Sequence, residues 1–393
     1  MGRLAAAGAV AALAACGRLD FDPLPTVDAP PASCSVGPNI QVSNAAGTSN
    51  GPTLAGNGTG FALAWADNRD GNFEIYLSLF DAAGTPIATE LRMTNTAAAS
   101  IAPTVGWSGA TWGLAWSEAL GGNSYQTMFQ QLAPDGTPLG AAKPLAMQTS
   151  TFVPGRAQKW IDTSYALAWQ ADVGGPNDEI FFARLGEDGT PITTDQQLTM
   201  AAGGSGFPTL AWTGSEFGIT WNDDRDGNTG IYFAAVDATG QKLTGDLRVT
   251  ADAASTFVPG IERTGDHFLV TYWDDRTGTS EIYQRLLDDT GAPLGDEQRL
   301  NPGHYGQVPI ARWSGRELGL IWADFRNNIL EPYFTRTDGD GVKLGDDQRV
   351  STGGIDMELD GHDVAWTGSS FAIAWGDKRS GDVEIYAAIA SCP

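Results

Sequence analysis

Residues 217–221, Phe217-Gly218-Ile219-Thr220-Trp221, decide the fold of this chain. Side chains alternate faces along a β-strand, so Phe217, Ile219 and Trp221 share one face while Gly218 and Thr220 take the other. Neither face carries charge, and a strand apolar on both sides must be covered on both sides. One of those faces is bulky and the other small. The same alternation recurs at 61–65, 112–116, 165–169, 268–272, 318–322 and 371–375. A repeat of about fifty residues marks an architecture built from one recurring unit.

Around 217–221 that unit reads as four short strands. Residues 207–212 precede it, and 231–236 and 247–250 follow, separated by turns rich in Gly, Asp and Asn. Sheets with one bulky and one small face pack side by side at interior-like density, the large residues of one filling the space left by the next. A radial ring of such sheets has this geometry. The expected fold is therefore all-β, a seven-bladed β-propeller of four-stranded antiparallel blades. The 50 glycines and 13 tryptophans suit turn-rich strands better than helices.

The chain ends complete the ring. The seventh unit supplies strands at 363–366, 371–375 and 384–389, then stops at Pro393 without a fourth. An unpaired strand at 39–43 resembles the fourth strands at 246–250 and 348–351, so residues 38–44 are expected to complete the last blade of a domain spanning 34–393. Ahead of it, a basic start (Met1-Gly2-Arg3), an apolar run over 4–12 and small residues describe a signal peptide over 1–15. Leu13-Ala14-Ala15-Cys16 resembles the lipobox of bacterial lipoproteins, which implies lipidation of Cys16; an ordinary cleaved signal is the alternative. Residues 16–33 carry Pro23, Pro25, Pro30 and Pro31 and read as an extended tether, roughly 50 Å long at about 3.1 Å per residue. Gly17 is not the Asp that marks inner-membrane retention in some bacteria, so the expected location is the cell envelope, at the outer membrane or cell surface.

Setting aside a lipidated Cys16 leaves Cys34 and Cys392, which flank the one hairpin whose covalent turn is missing. In an oxidising exported compartment they are expected to form a disulfide there. For so long a loop the entropic model allows at most about 4–5 kcal/mol.

The formal charge of −24 argues against partners that need basic patches, nucleic acid and anionic lipid. A monomer that touches the membrane only through its lipid is expected.

After the second strand comes a recurring Trp-x-Asp-x-Arg-x-Gly, then Glu and Ile-Tyr. Its copies hold Asp67/Arg69, Asp223/Arg225, Asp274/Arg276, Asp324/Arg326 and Asp377/Arg379. This resembles the tandem repeats of secreted bacterial propellers, a resemblance that covers 35–393 and implies the fold but little function. The Asp residues could be calcium ligands, which would make the chain a calcium-stabilised structural protein. An Arg in mid-loop, however, places a fixed positive charge where the ion would sit. The reading preferred here is a structural latch. Asp accepts backbone N–H bonds, Gly or Asn takes the left-handed position, and Arg pairs with the Asp or the following Glu. No metal site or other cofactor is expected on that reading.

Departures from the repeat then point to function. Blades two and three lack the Arg, blade five adds Trp273, and the connections at 301–307 and 353–360 are unusual. Loops on a rigid scaffold carry function, so Tyr125, Trp273, His304 and Tyr305 are candidate ligand contacts, with local packing as the alternative. Only three histidines exist, and no nucleophile elbow, zinc helix or phosphate loop is present; nor is the Asp box of sialidases, Ser-x-Asp-x-Gly-x-x-Trp. The leading expectation is an envelope-anchored module that binds protein or glycan through the loop face. A carboxylate-dependent hydrolase of extracellular carbohydrate is the second, and needs two convergent carboxyls.

Overall fold

The computed structural model describes residues 34–122, 124–145, 158–174, 177–251, 256–352 and 357–392. The expected signal peptide, Cys16, the tether and residues 353–356 of the last connection lie outside the described residues. Seven antiparallel sheets follow one another along the chain, and six of them contain four strands in sequence order. Blade four shows the plan: Ser205–Trp212, Glu216–Asp223, Gly230–Asp237 and Leu247–Arg248. The five-residue repeat is the second strand of each blade, and it is buried throughout.

The two-faced pattern nests as the alternation requires. A Cβ added to Gly113 would stand 2.4 Å from the ring of Tyr165 in the next blade, and one on Gly218 would stand 2.7 Å from Phe268. Each small residue is thus the socket for the neighbouring blade's aromatic. Phe61 of blade one packs in one cluster with Ala372 and Ala374 of blade seven, which closes the ring.

Closure also runs through the chain ends. Blade seven holds Met357–Trp366, Phe371–Asp377 and Glu384–Ser391. Both Ser35–Val36 and Ile40–Gln41 pair with its last strand, Ser35 opposite Ser391 and Ile40 opposite Ala387. Pairing therefore begins ahead of the expected 38–44 segment. Cys34 and Cys392 are joined in a disulfide with Cα atoms 4.2 Å apart across a sequence separation of 358.

Six first strands carry a register shift near their start, as between Asn50 and Thr53 or Phe257 and Gly260, whereas the described part of the blade-three first strand, Gln158–Ile161, pairs without one. The recurring prolines sit in these bulges, where the missing N–H costs no ladder bond. The residue before them turns left-handed even when bulky, as in Phe207 (φ 53), Val258 (φ 51) and Val308 (φ 52). Such backbone persists only where surrounding contacts enforce it. The bulges lie at the latch end of the ring. The opposite end, where first strands turn into second strands, is called here the far face.

Candidate functional site: an aromatic-walled axial cavity

The latch loops resolve into one motif. In blade one, Asp67 accepts hydrogen bonds from Trp65 Nε1 (3.2 Å), Ser49 Oγ (2.7 Å), the Arg69 backbone N–H (2.9 Å) and the Arg69 guanidinium (2.6 Å). Blade four repeats the set on Asp223 with Trp221, Ser205 and Arg225. Burial alone would raise both carboxyls; the hydrogen bonds from Arg and Trp, joined at Asp67 by Ser49, outweigh it and hold Asp67 and Asp223 below the usual range. Each Arg also lies over the Tyr near the start of the third strand, Arg69 at 4.5 Å from the Tyr76 centroid and Arg326 at 4.1 Å from Tyr333, which follows Pro332 where the other copies have Ile.

The second partner of each Arg differs from the sequence expectation. Arg69 reaches Glu90 (2.7 Å), Arg225 reaches Asp246 (2.8 Å) and Arg326 reaches Asp347 (3.1 Å), each acid standing just before or on the fourth strand. Arg276 pairs with Glu297, and Arg379 donates to Asn39 Oδ1 of the N-terminal segment at 3.0 Å. The following Glu is instead engaged by an Arg of the fourth strand, as in Arg92–Glu74 and Arg299–Glu281. The guanidinium thereby ties a loop to the outer edge of its own blade. Among the described residues no three His, Cys, Asp or Glu side chains form a cluster able to hold a metal ion.

Blades two and three replace the latch with longer hairpins. Trp112–Gly121 pairs with Ser124–Leu132, and Ser164–Asp172 pairs with Asp178–Gly186. Tyr125 sits in the first of these, opposite Ala119. The other candidates gather on blades five and six. Trp273 stacks on Phe257 at 4.6 Å, and Tyr305 meets Phe325 edge-on at 5.9 Å. His304 is exposed on the connection between those blades, and burial raises the Tyr305 hydroxyl. Tyr125, three blades away around the ring, does not join them.

None of the four lines the principal cavity, a space of about 350 Å³ along the ring axis. Its walls are the first strands. Toward the far face they carry Trp107, Trp160, Trp212, Trp313 and Trp366, each opposite the first residue of the five-residue repeat in its second strand. Blades one and five carry Gly56 and Arg263 there. Trp107, Trp160 and Trp366 lie on Trp112, Tyr165 and Phe371 with centroids 4.5, 4.6 and 4.9 Å apart. All five tryptophans are half-buried, so each packs on one side and presents surface on the other. Trp107, Trp160, Trp313 and Trp366 line the cavity directly.

One residue back along each first strand, four blades carry Ala55, Gly106, Ala211 and Ala365, whereas blades three, five and six carry Lys159, Glu262 and Arg312. Lys159 Nζ donates to Glu262 Oε2 at 2.9 Å, and Arg312 stands 3.8 Å from Glu262 Oε1. Arg312 also donates to Asp363 at 3.3 Å; that carboxylate accepts from the Leu54 N–H at 2.9 Å and so staples blade seven to blade one. Gln158 lines the same cavity, and its buried Oε1 has no hydrogen-bond partner. Sequence reasoning missed this cluster although a signal existed: three charged residues at a position that is otherwise Ala or Gly.

No protein-family model matches the sequence, and none of the curated proteins matches it. Solved structures are similar in fold. One of two prolyl endopeptidases superposes with a TM-score of 0.55 at 16% identity, over 86% of this chain and 46% of that one, so this chain spans about half its length. The oligogalacturonate lyase of Vibrio parahaemolyticus gives 0.52 at 11% identity over 91% and 97%. The subtype N10 neuraminidase-like protein of A/little yellow-shouldered bat/Guatemala/060/2010 gives 0.51 at 10% over 79% and 99%. Likeness at this identity is likeness of fold alone. The class the chain itself defines is a closed seven-bladed β-propeller with an aromatic-walled axial cavity.

Proposed function

We propose that the protein is an exported binding module, held at the cell envelope by a lipid on Cys16, that takes a saccharide at the far end of its axial cavity. The observation that carries this reading is the convergence of Trp107, Trp160, Trp313 and Trp366 from four blades on one cavity of about 350 Å³. Ligand pockets of that size combine aromatic walls with a few placed polar groups. Sugar rings present a C–H face that stacks on indole and hydroxyls that need hydrogen-bond partners. Lys159, Glu262 and Arg312 supply polar groups on the same wall. Of the protein or glycan partner expected from the sequence, the reading keeps the glycan, and it moves the site from the latch loops to the opposite end.

Binding is favoured over hydrolysis by the state of the carboxylates. Glu262 is held by Lys159 and Arg312, and Asp363 accepts from Leu54 N–H, Val364 N–H, Thr53 and Arg312. Both serve as internal counter-ions, and neither is presented as a free acid or base. A glycan array probed with the purified protein tests the proposal: saccharide binding that Trp160→Ala or Trp313→Ala abolishes, with circular dichroism unchanged, supports it. An array without saccharide signal contradicts it.

A further inference from the structure

Resting on that reading, we infer that the saccharide is an acidic one, whose carboxylate is gripped by Lys159 and Arg312 inside the tryptophan-walled cavity. The two cations and the two acids of the cluster are not equally accessible. The side chains of Lys159 and Arg312 keep 35% and 33% of their exposure, against 9% for Glu262 and 8% for Asp363. Lys159, Arg312 and Glu262 line the cavity, whereas Asp363 lies behind it against Leu54. The charge offered to an incoming ligand is therefore positive, in a chain whose net charge is −24.

Donor capacity points the same way. Lys159 spends one N–H on Glu262, and an ammonium has three. Arg312 donates to the Ala311 carbonyl and to Asp363, while a guanidinium carries five N–H bonds. Both cations thus keep donors for a second carboxylate. Glu262 and Asp363 hold the cations in place before the ligand arrives, which lowers the ordering cost of binding. Charge-assisted bonds of this kind are about twice as strong as neutral ones. A neutral sugar would make the tryptophan contacts and leave these donors without an anionic partner.

The test compares matched ligands on the intact protein by titration calorimetry. The probes are short oligoglucuronates and oligogalacturonates, each set against its carboxyl-reduced counterpart. The acidic form is expected to bind more tightly by on the order of ten-fold, to weaken with added salt, and to lose that preference in Lys159→Met, which keeps the aliphatic stem. Equal affinity for acidic and reduced forms overturns the inference and leaves the saccharide reading standing. A preference for the acid that Lys159→Met leaves untouched overturns it too, because the grip then lies elsewhere. Failure of both forms, on an array that shows no other saccharide, overturns both readings. The acid-to-neutral ratio is read on the unmodified protein and does not depend on how the variant folds.

Discussion

Lys159 and Glu262 meet at 2.9 Å although 103 residues separate them, joining blade three to blade five across the axis without passing through blade four. Adjacent blades are already held by nested aromatics, so this pair does something the repeat does not do. It crosses the axial space between the first strands. Glu262→Gln should accordingly leave Lys159 uncompensated by its closest acid and increase the positive charge at the cavity. The Gln oxygen can still accept from Lys159 and hold it in place, so an acidic saccharide should bind Glu262→Gln at least as tightly as the parent, and a neutral one should be unaffected; calorimetry on both measures it.

The latch motif predicts a stability effect. Asp223 is fully enclosed and holds Arg225, Trp221 and Ser205 together. Removing one partner of such a pair leaves a buried charge, so Asp223→Ala should lower stability by about 3 kcal/mol, read as a shift in the denaturant midpoint. Arg225→Lys should also destabilise, because an ammonium cannot reproduce the fork that binds Asp223 and Asp246 at once.

The motif was legible in sequence only in part. Asp67 and Arg69 lie two residues apart, and their partnership is local. Glu90 lies 21 residues beyond Arg69, past the third strand, and only the folded blade brings it back. The seven copies, the ring and the Cys34–Cys392 seam could be read because they depend on period and on chain ends. The cavity could not be read in the same way. Lys159, Glu262 and Arg312 each look like isolated surface charges until the first strands are placed around an axis. Attention to irregular loops also drew Trp273 and Tyr305 forward and passed over tryptophans regular enough to look like frame.

The seam predicts local opening. Breaking the disulfide in Cys34→Ser/Cys392→Ser should cost up to about 4–5 kcal/mol. Before global unfolding, hydrogen exchange should rise in Ser35–Val36, Ile40–Gln41 and Glu384–Ser391 and stay low in blade four. Uniform exchange across all blades would show that the clamp does not act at the seam.

Glu179 gives a pH signature. Burial raises its carboxyl above the ordinary 4.5, and blade three has Gln197 where blades one, four, five and six place an Arg on the fourth strand. The folded state therefore disfavours the charged form. That penalty is in full force above the raised value and fades as pH falls through it toward 4.5. Glu179→Gln should raise Tm at neutral pH, with the gain shrinking as pH drops to that point. Asp67 and Asp223 act with the opposite sign: held low, they stabilise above 3.8, and their contribution is lost as pH falls further through their depressed values.

A single comparison separates a far-face site from a latch-face one. Saccharide affinity is measured by calorimetry for the parent, for Trp160→Ala and Trp313→Ala, and for Trp273→Ala and Tyr305→Ala, with folding checked by circular dichroism. A far-face site requires a loss on the order of ten-fold or more for the cavity pair and parent-like affinity for the latch-face pair. Parent-like affinity in the cavity variants, with loss in Trp273→Ala or Tyr305→Ala, would place the site on the opposite end of the ring and contradict it.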